Sequence, residues 1–348
     1  MTTSQLKEIL KSNILTISVP DAEVTDAWDD YVQAGAHILL APPCIQADDD
    51  EADILDSLFE AAADNAFVAG QIAAPNPSDT FDYDSFYNSV LNRAGWLYDA
   101  GVSMIMLTGF SDILSAKCAV YAIREAAQDF PICFGISMKD DGEMIKKSLS
   151  LLITMQALDI CAFGCTNMDI EDSLELLSEL QSFTTVPLFV VADPGNYLEP
   201  EMYSDYITSF VNHKCAMVGL LNSSPAYTAA SSKECWQLAP LKPDFPVLNA
   251  VCSLNESLFL DFSGKIVSKN KQLLEITTEK QEEVEQALAI FNKSGAMPVC
   301  FSIKDIDVLE YAISHYAGRP AVRSDEYGEI TAKEFGAFIL SEKKEESK

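Results

Sequence analysis

Residues 103–128 read SMIMLTGFSDILSAKCAVYAIREAAQ, and the order of these residues decides the fold. The opening run, 103–108, has an uninterrupted apolar centre at 104–107 and is too short for an ordinary helix, so it reads as a strand buried on both faces. From Ser111 onward the apolar residues recur at three- and four-residue steps behind a capping serine, which predicts a helix over 111–128. A strand passing directly into an amphipathic helix is one βα unit. The same alternation recurs along the chain, with strands predicted at 13–18, 38–41, 67–73, 103–108, 132–137, 158–163, 187–192 and 215–221. Continuous apolar strands separated by helices call for a parallel sheet covered by helices. Eight units favour a closed barrel, since an open doubly wound sheet would place a glycine-rich phosphate turn after an early strand. Here the first such turn, SVPDAEVT at 18–25, has no glycine. The expected architecture is α/β, a (β/α)8 TIM-type barrel over residues 1–238.

Past that point the texture changes. APLKPDFP at 239–246 is a proline-punctuated linker, and the barrel count is complete before it. Residues 239–343 predict a small α/β appendage. Its elements are a hairpin around Ser263 and Gly264, strands at 273–278 and 299–303, helices at 279–293 and 306–317, and a strand near 320–323. The charged end, 344–348, is expected to be a disordered tail.

The 53 acidic and 23 basic side chains give a net charge of −30, which repels phosphate backbones and anionic lipid and excludes nucleic acid and membrane surfaces as partners. No stretch supplies the roughly 18 to 20 apolar residues of a membrane span, and the start MTTSQLKEILKSN is not a secretory signal, so a cytoplasmic location is expected. Nine cysteines without a compact spacing framework fit reduced thiols.

In a barrel of this class chemistry sits at the carboxyl ends of the strands. Those ends read PD at 20–21, APPC at 41–44, AAPN at 73–76, TGFSD at 108–112, MKDD at 138–141, GCTN at 164–167, DPGN at 193–196 and NSSP at 222–225. They are polar, lack histidine and carry few convergent charges. Thr108, Asp193 and Asn222 are the candidate ligand-binding residues. Asp193 is the one carboxylate there suited to an amino group, and an Asp-Pro-Gly turn is its ordinary alternative.

The succession AGAHILLAPP, FVAGQIAAP, AGVSMIMLTGFSDILSAKCAV, FGISMKDDGE, DICAFGCTNMDIEDSLELLSEL, VPLFVVADPG and AMVGLLNSSPAYTAA resembles the homocysteine S-methyltransferase family. That family includes the homocysteine-binding barrel of cobalamin-dependent methionine synthase and the betaine-homocysteine methyltransferases. The resemblance covers roughly residues 5–237. It implies a zinc ion that binds the substrate thiol and lowers its pKa for attack on a methyl donor. The implied ligands are a cysteine after strand six, matched by Cys165, and a Cys-Cys pair in a Gly-Gly-Cys-Cys-Gly turn after strand eight. The latter is replaced by Val218-Gly219-Leu220-Leu221-Asn222.

One thiolate cannot hold zinc, since a catalytic site needs three protein ligands and an open position. Among other thiols only Cys44 falls on the correct face, with Cys161 inside its strand and Cys215 at the start of strand eight. Buried packing is the commoner fate of such cysteines. The family's glycine-rich turn after strand one becomes Ser18 to Thr25, its Thr-Asn-Thr after strand two becomes Ala41-Pro42-Pro43, and its strand-four glutamate becomes Thr108. Ser111, Asp112 and Lys117 keep the family pattern and read as helix capping and surface charge.

The tail segment MPVCFSIKDIDVLEYAISHYAGRPAVRSDEYGE at 297–329 is similar in rhythm to part of the folate-binding barrel of methionine synthase. It implies a truncated remnant whose folate-contacting positions read Ser302-Ile303-Lys304 and Arg323-Ser324.

Two functions follow as expectations. One is a non-catalytic binding or partner module in methyl-transfer or corrinoid metabolism. It would take a small molecule at the barrel mouth or a corrinoid or methionine-synthase-type protein, with no cofactor. The other is an active S-methyltransferase acting on a thiol such as homocysteine through a rebuilt site.

Overall fold

The computed structural model describes residues 1–19, 28–42, 49–76, 80–138, 143–195, 198–243, 248–260, 267, 273–294 and 297–340. The chain alternates helix and strand from its start: α1 (Thr3–Ser12), β1 (Leu15–Val19), α2 (Trp28–Gln33), β2 (Ile38–Leu40), α3 (Asp49–Ala62), β3 (Phe67–Ala73), α4 (Tyr83–Ala100), β4 (Met104–Phe110) and α5 (Ile113–Ala126). It continues through β5 (Ile132–Ile136), α6 (Met144–Gln156), β6 (Ala162–Asp169), α7 (Ile170–Leu180), β7 (Leu188–Asp193), α8 (Pro200–Asn212), β8 (Cys215–Leu221) and α9 (Pro225–Cys235). Strands β1 to β8 form a closed parallel barrel in sequence order. It shuts where β1 pairs with β8 from Leu15↔Met217 to Val19↔Leu221.

The apolar strands divide by alternation, since successive side chains on a strand face opposite sides of the sheet. Ile17, Leu40, Ala69, Met106, Phe189 and Val191 fill the interior. Leu39, Val68, Leu107, Phe163, Val190 and Val218 join the helices in a second, outer layer. Leu6 and Leu10 of α1 belong to the interior cluster, so α1 closes the amino-terminal end of the barrel. A capping box between Thr2 and Gln5 starts this helix. The opposite end is left as the mouth.

Two boundaries differ from the sequence expectation with consequences for the site. Strand β6 extends to Asp169 rather than ending at 163, because its last half is polar and carries no apolar signal. The cap of α5 is Asp112, whose side chain accepts from the Ser115 amide at 2.7 Å, rather than Ser111.

Beyond the barrel lie β9 (Ala250–Cys252), β10 (Ser257–Phe259), β11 (Leu274–Ile276), α10 (Gln281–Ser294), β12 (Val299–Phe301), α11 (Ile306–His315), β13 (Ala321–Val322), α12 (Glu326–Glu334) and β14 (Phe338–Ile339). β9 and β10 pair antiparallel, whereas β11 to β14 form a parallel sheet in sequence order. The hairpin expected around Ser263 and Gly264 lies outside the described residues. Helix α12 and strand β14 were not expected, as a nine-residue helix containing glycine and a two-residue strand leave little pattern to read. One face of the parallel sheet packs on its own helices through Val299, Phe301, Leu309 and Ile313. On the other, Cys300 and Ala321 meet Val251, Leu258 and Leu260 of the hairpin.

The seam between barrel and appendage is held by a buried cation. Lys117 on α5 is 1 % exposed, and its Nζ donates to the carbonyls of Ile313 at 2.5 Å, Tyr316 at 2.9 Å and Gly318 at 3.2 Å. Three acceptors match the three N–H of an ammonium, and they lie at the carboxyl end of α11, where a helix favours positive charge. Burial pulls the other way and pushes this ammonium from 10.5 down to about 7. The expectation of a surface charge at Lys117 is therefore corrected: the appendage covers it. Arg319 makes the matching contacts within the appendage, donating to Gly336, Leu248 and Ala250 carbonyls at 3.0, 3.0 and 3.1 Å. Tyr121 of α5 adds a hydrogen bond to the Phe335 carbonyl at 3.0 Å.

Candidate functional site

At the mouth the inward-facing positions of the strands change from apolar to polar. On β3 the interior side chains are Ala69 and then Gln71; on β4 they are Met104, Met106 and then Thr108; on β6, Ala162 is followed by Gly164 and Thr166. Gln71, Thr108 and Thr166 are 8 %, 8 % and 2 % exposed, respectively. They border a cavity of about 370 Å³ whose other polar residues are Asn76, Asn167 and Asn222, with Val19, Leu40, Val191 and Leu221 on its apolar side.

Hydrogen bonds fix this ring. Gln71 Nε2 donates to Thr108 Oγ1 at 2.7 Å, joining β3 to β4. Thr166 Oγ1 accepts from the Gly109 amide at 3.1 Å and donates to the Ile136 carbonyl at 3.4 Å, joining β4, β5 and β6. Gly109 sits at φ 77, where β4 loses register with β5, a conformation glycine takes without strain. Asn167 and Asn222 also have positive φ, 61 and 46, which asparagine tolerates better than most residues. One atom is left over: Gln71 Oε1 is buried and has no hydrogen-bond partner among the described residues. An unpaired buried acceptor costs about 1–3 kcal/mol.

A second hollow of about 520 Å³ adjoins the first through Ala74, Pro75 and Asn76, between the starts of α4 and α5. Both helix starts are already occupied by their own carboxylates. Asp82 accepts from the Ser85 amide at 2.7 Å, which holds it below the usual carboxylate range, and Asp112 accepts from Ser115.

The four residues singled out from the sequence fall in different places. Thr108 and Asn222 border the same cavity. Asp193 is exposed at the end of β7 and outside that lining, with its Oδ1 accepting from the Gly195 amide at 2.9 Å in an ordinary Asp-Pro-Gly turn. Cys165 faces the opposite way from the mouth. It lies between the inward positions 164 and 166, is 0 % exposed and belongs to the outer layer with Phe163 and Val190. Burial pushes its thiol up to about 12.

Cys161 is at the barrel's closed end, its thiol donating to the Thr3 carbonyl at 3.7 Å, and Cys215 is also buried in the outer layer. Cys44 lies outside the described residues, as do 20–27 and 139–142 of the mouth turns. Gln71 was missed by a reading confined to residues after the strands. Its signal was a lone amide at an inward position of FVAGQIA.

Zinc held by thiolates needs deprotonated sulfur aimed at one point. The described residues lining this cavity offer hydroxyls and amides but no thiol, imidazole or carboxylate. Among the described residues no three His, Cys, Asp or Glu side chains converge as a metal would require. At the end of β8, Leu220 packs outward and Leu221 borders the cavity where the resemblance places cysteines. Asn222 stands at the turn's last glycine and keeps a left-handed backbone. The described residues therefore do not fit a zinc-thiolate centre. No described helix is long and apolar enough to cross a membrane.

Comparison with known proteins agrees with the barrel. The chain is similar to the homocysteine methyltransferase MmuM from Escherichia coli. In the apo form identity is 17 % with TM-score 0.54, covering 64 % of this chain and 97 % of that one. In the metallated form identity is 16 % with TM-score 0.51, covering 66 % and 88 %. At these identities the likeness speaks for the fold alone. No curated protein sequence matches the chain. The sequence pattern of homocysteine S-methyltransferases matches residues 45–219, half of the chain and most of the barrel, and on that match the chain belongs to the homocysteine S-methyltransferase family.

Proposed function

We propose that the chain is a non-catalytic member of this family, a barrel that binds a small uncharged or zwitterionic molecule within methyl-transfer metabolism rather than activating a thiol on zinc. The observation that carries this reading is the direction of Cys165. A residue that matches the family's ligand by sequence lies on the helix side of β6, with a thiol that stays protonated at neutral pH. The polar ring at the mouth has hydrogen-bonding groups for recognition and no described group suited to activating a sulfur nucleophile.

Metal content and turnover test the reading together. Protein purified without chelator is analysed by mass spectrometry for metal and assayed with homocysteine and a methyl donor. The expected result is well under one zinc per chain and no methyl transfer. About one zinc per chain, with turnover lost on replacing Cys44 or Cys165 by alanine, would overturn it in favour of an active S-methyltransferase with a rebuilt site. Copurification of a corrinoid or methionine-synthase-type protein would identify the module's partner.

A further inference from the structure

The mouth contains a donor–acceptor pair that no described neighbour completes. Gln71 Nε2 donates to Thr108 Oγ1, which leaves the Gln71 Oε1 acceptor without a partner and the Thr108 hydroxyl proton unassigned to any described acceptor. Turned over, the same amide would accept from Thr108, leaving a Gln71 N–H donor and a threonine lone pair. In either orientation the pair has at least one donor and one acceptor to offer, side by side on adjacent strands. The terminal torsion of glutamine is broad and two-fold, so its amide can turn toward the cavity while β3 stays in place. Thr166 cannot take up the slack, because its hydroxyl is already held by Gly109 and Ile136.

We infer that the Gln71–Thr108 pair is a recognition site for an uncharged amide group, a carboxamide, lactam or cyclic urea, bound with its flat body against Val19, Leu40, Val191 and Leu221. An amide carries an N–H and a C=O on neighbouring atoms and so completes both groups at once. A carboxylate lacks the donor, an ester lacks it too, and an ammonium lacks the acceptor. The cavity lining has no described positive side chain to receive an anion, and a chain with net charge −30 repels one at long range. The apolar side of the cavity suits a planar ring and the 370 Å³ volume accommodates one with substituents. This inference deepens the binding-module reading and rests on it.

The test uses the full chain and calorimetric titration with nicotinamide, uracil and 2-pyrrolidinone, against nicotinate and methyl nicotinate as matched controls. Nicotinamide or one of the other two amides is expected to bind, with the acid and the ester weaker by about tenfold or more, because a site built around a donor and an acceptor rejects analogues lacking one. Gln71→Met and Thr108→Val should each abolish the preference. Gln71→Met should also raise the melting temperature, a readout independent of ligand that shows the variant is folded. Equal binding of amide, acid and ester, no binding of any amide at 10 mM, roughly, or an unchanged preference in Gln71→Met would each overturn the inference. These outcomes are separate from those of the metal and turnover measurements, so either proposal can fail while the other's result stands.

Discussion

The mouth of the barrel and the seam with its appendage treat buried polar groups in opposite ways. At the seam and within the appendage, acceptors surround each buried cation. Lys117 satisfies three carbonyls from a single nitrogen, and Arg319 satisfies three more. At the mouth, Gln71 makes one hydrogen bond and leaves its oxygen unpaired. A fold under selection only for stability would treat the two alike, since a buried unpaired group costs as much in either place. Unpaired buried atoms also occur away from the mouth, on Trp28 and Ser173, so what sets the Gln71 oxygen apart is its place in the cavity lining.

The comparison breaks most sharply at Lys117. Lys117→Met strands three carbonyls at the end of α11 and is expected to cost about 3 kcal/mol or more in urea-induced unfolding. It should also expose the appendage to limited proteolysis before the barrel. Arg319→Met removes the corresponding clamp inside the appendage and should cost about 2 kcal/mol by the same measurement. A mouth substitution should go the other way, with Gln71→Met gaining about 1 kcal/mol. A loss there, as large as at Arg319, would erase the contrast.

A pH series sharpens it. Lys117 titrates near 7 in the folded chain and at 10.5 when unfolded. Between those values the unfolded state holds the extra proton and stability rises with pH, so Lys117→Met should lose that part of the slope. The smallest effect is chemical. The eight described cysteines are all buried, and thiols such as Cys165 and Cys118 are pushed up to about 12. At pH 8 a thiol reagent should leave these eight untouched in the native chain and modify all nine in denaturant.

The barrel was legible because each of its strands carries an apolar run bounded by helical spacing, a pattern that needs no knowledge of neighbours. Direction was not legible. Placing Cys165 after the strand made it a mouth residue, whereas the polar extension of β6 to Asp169 puts it one position out of phase with Thr166. Phase depends on hydrogen-bond register between strands, which composition does not report. Lys117 was misread for a related reason. It is the lone charge in the stretch SAKCAVYAI of α5, and only the appendage, packed from nearly two hundred residues away, explains where it goes. Thr108 and Asn222 border a common cavity because strand ends converge in a barrel; Gln71 lies one turn of the pleat deeper than the positions inspected.

The parallel sheet β11 to β14 grows by one strand–helix unit at a time and always in the same direction, with no strand inserted between earlier ones. Such a sheet has no intrinsic length. A closed barrel must reach its last strand before its first has two neighbours, but this one can stop at four because the β9–β10 hairpin lies across its otherwise uncovered face. Gains or losses at its end are therefore incremental rather than catastrophic, and the appendage is the part of this molecule whose size evolution can adjust without dismantling the rest.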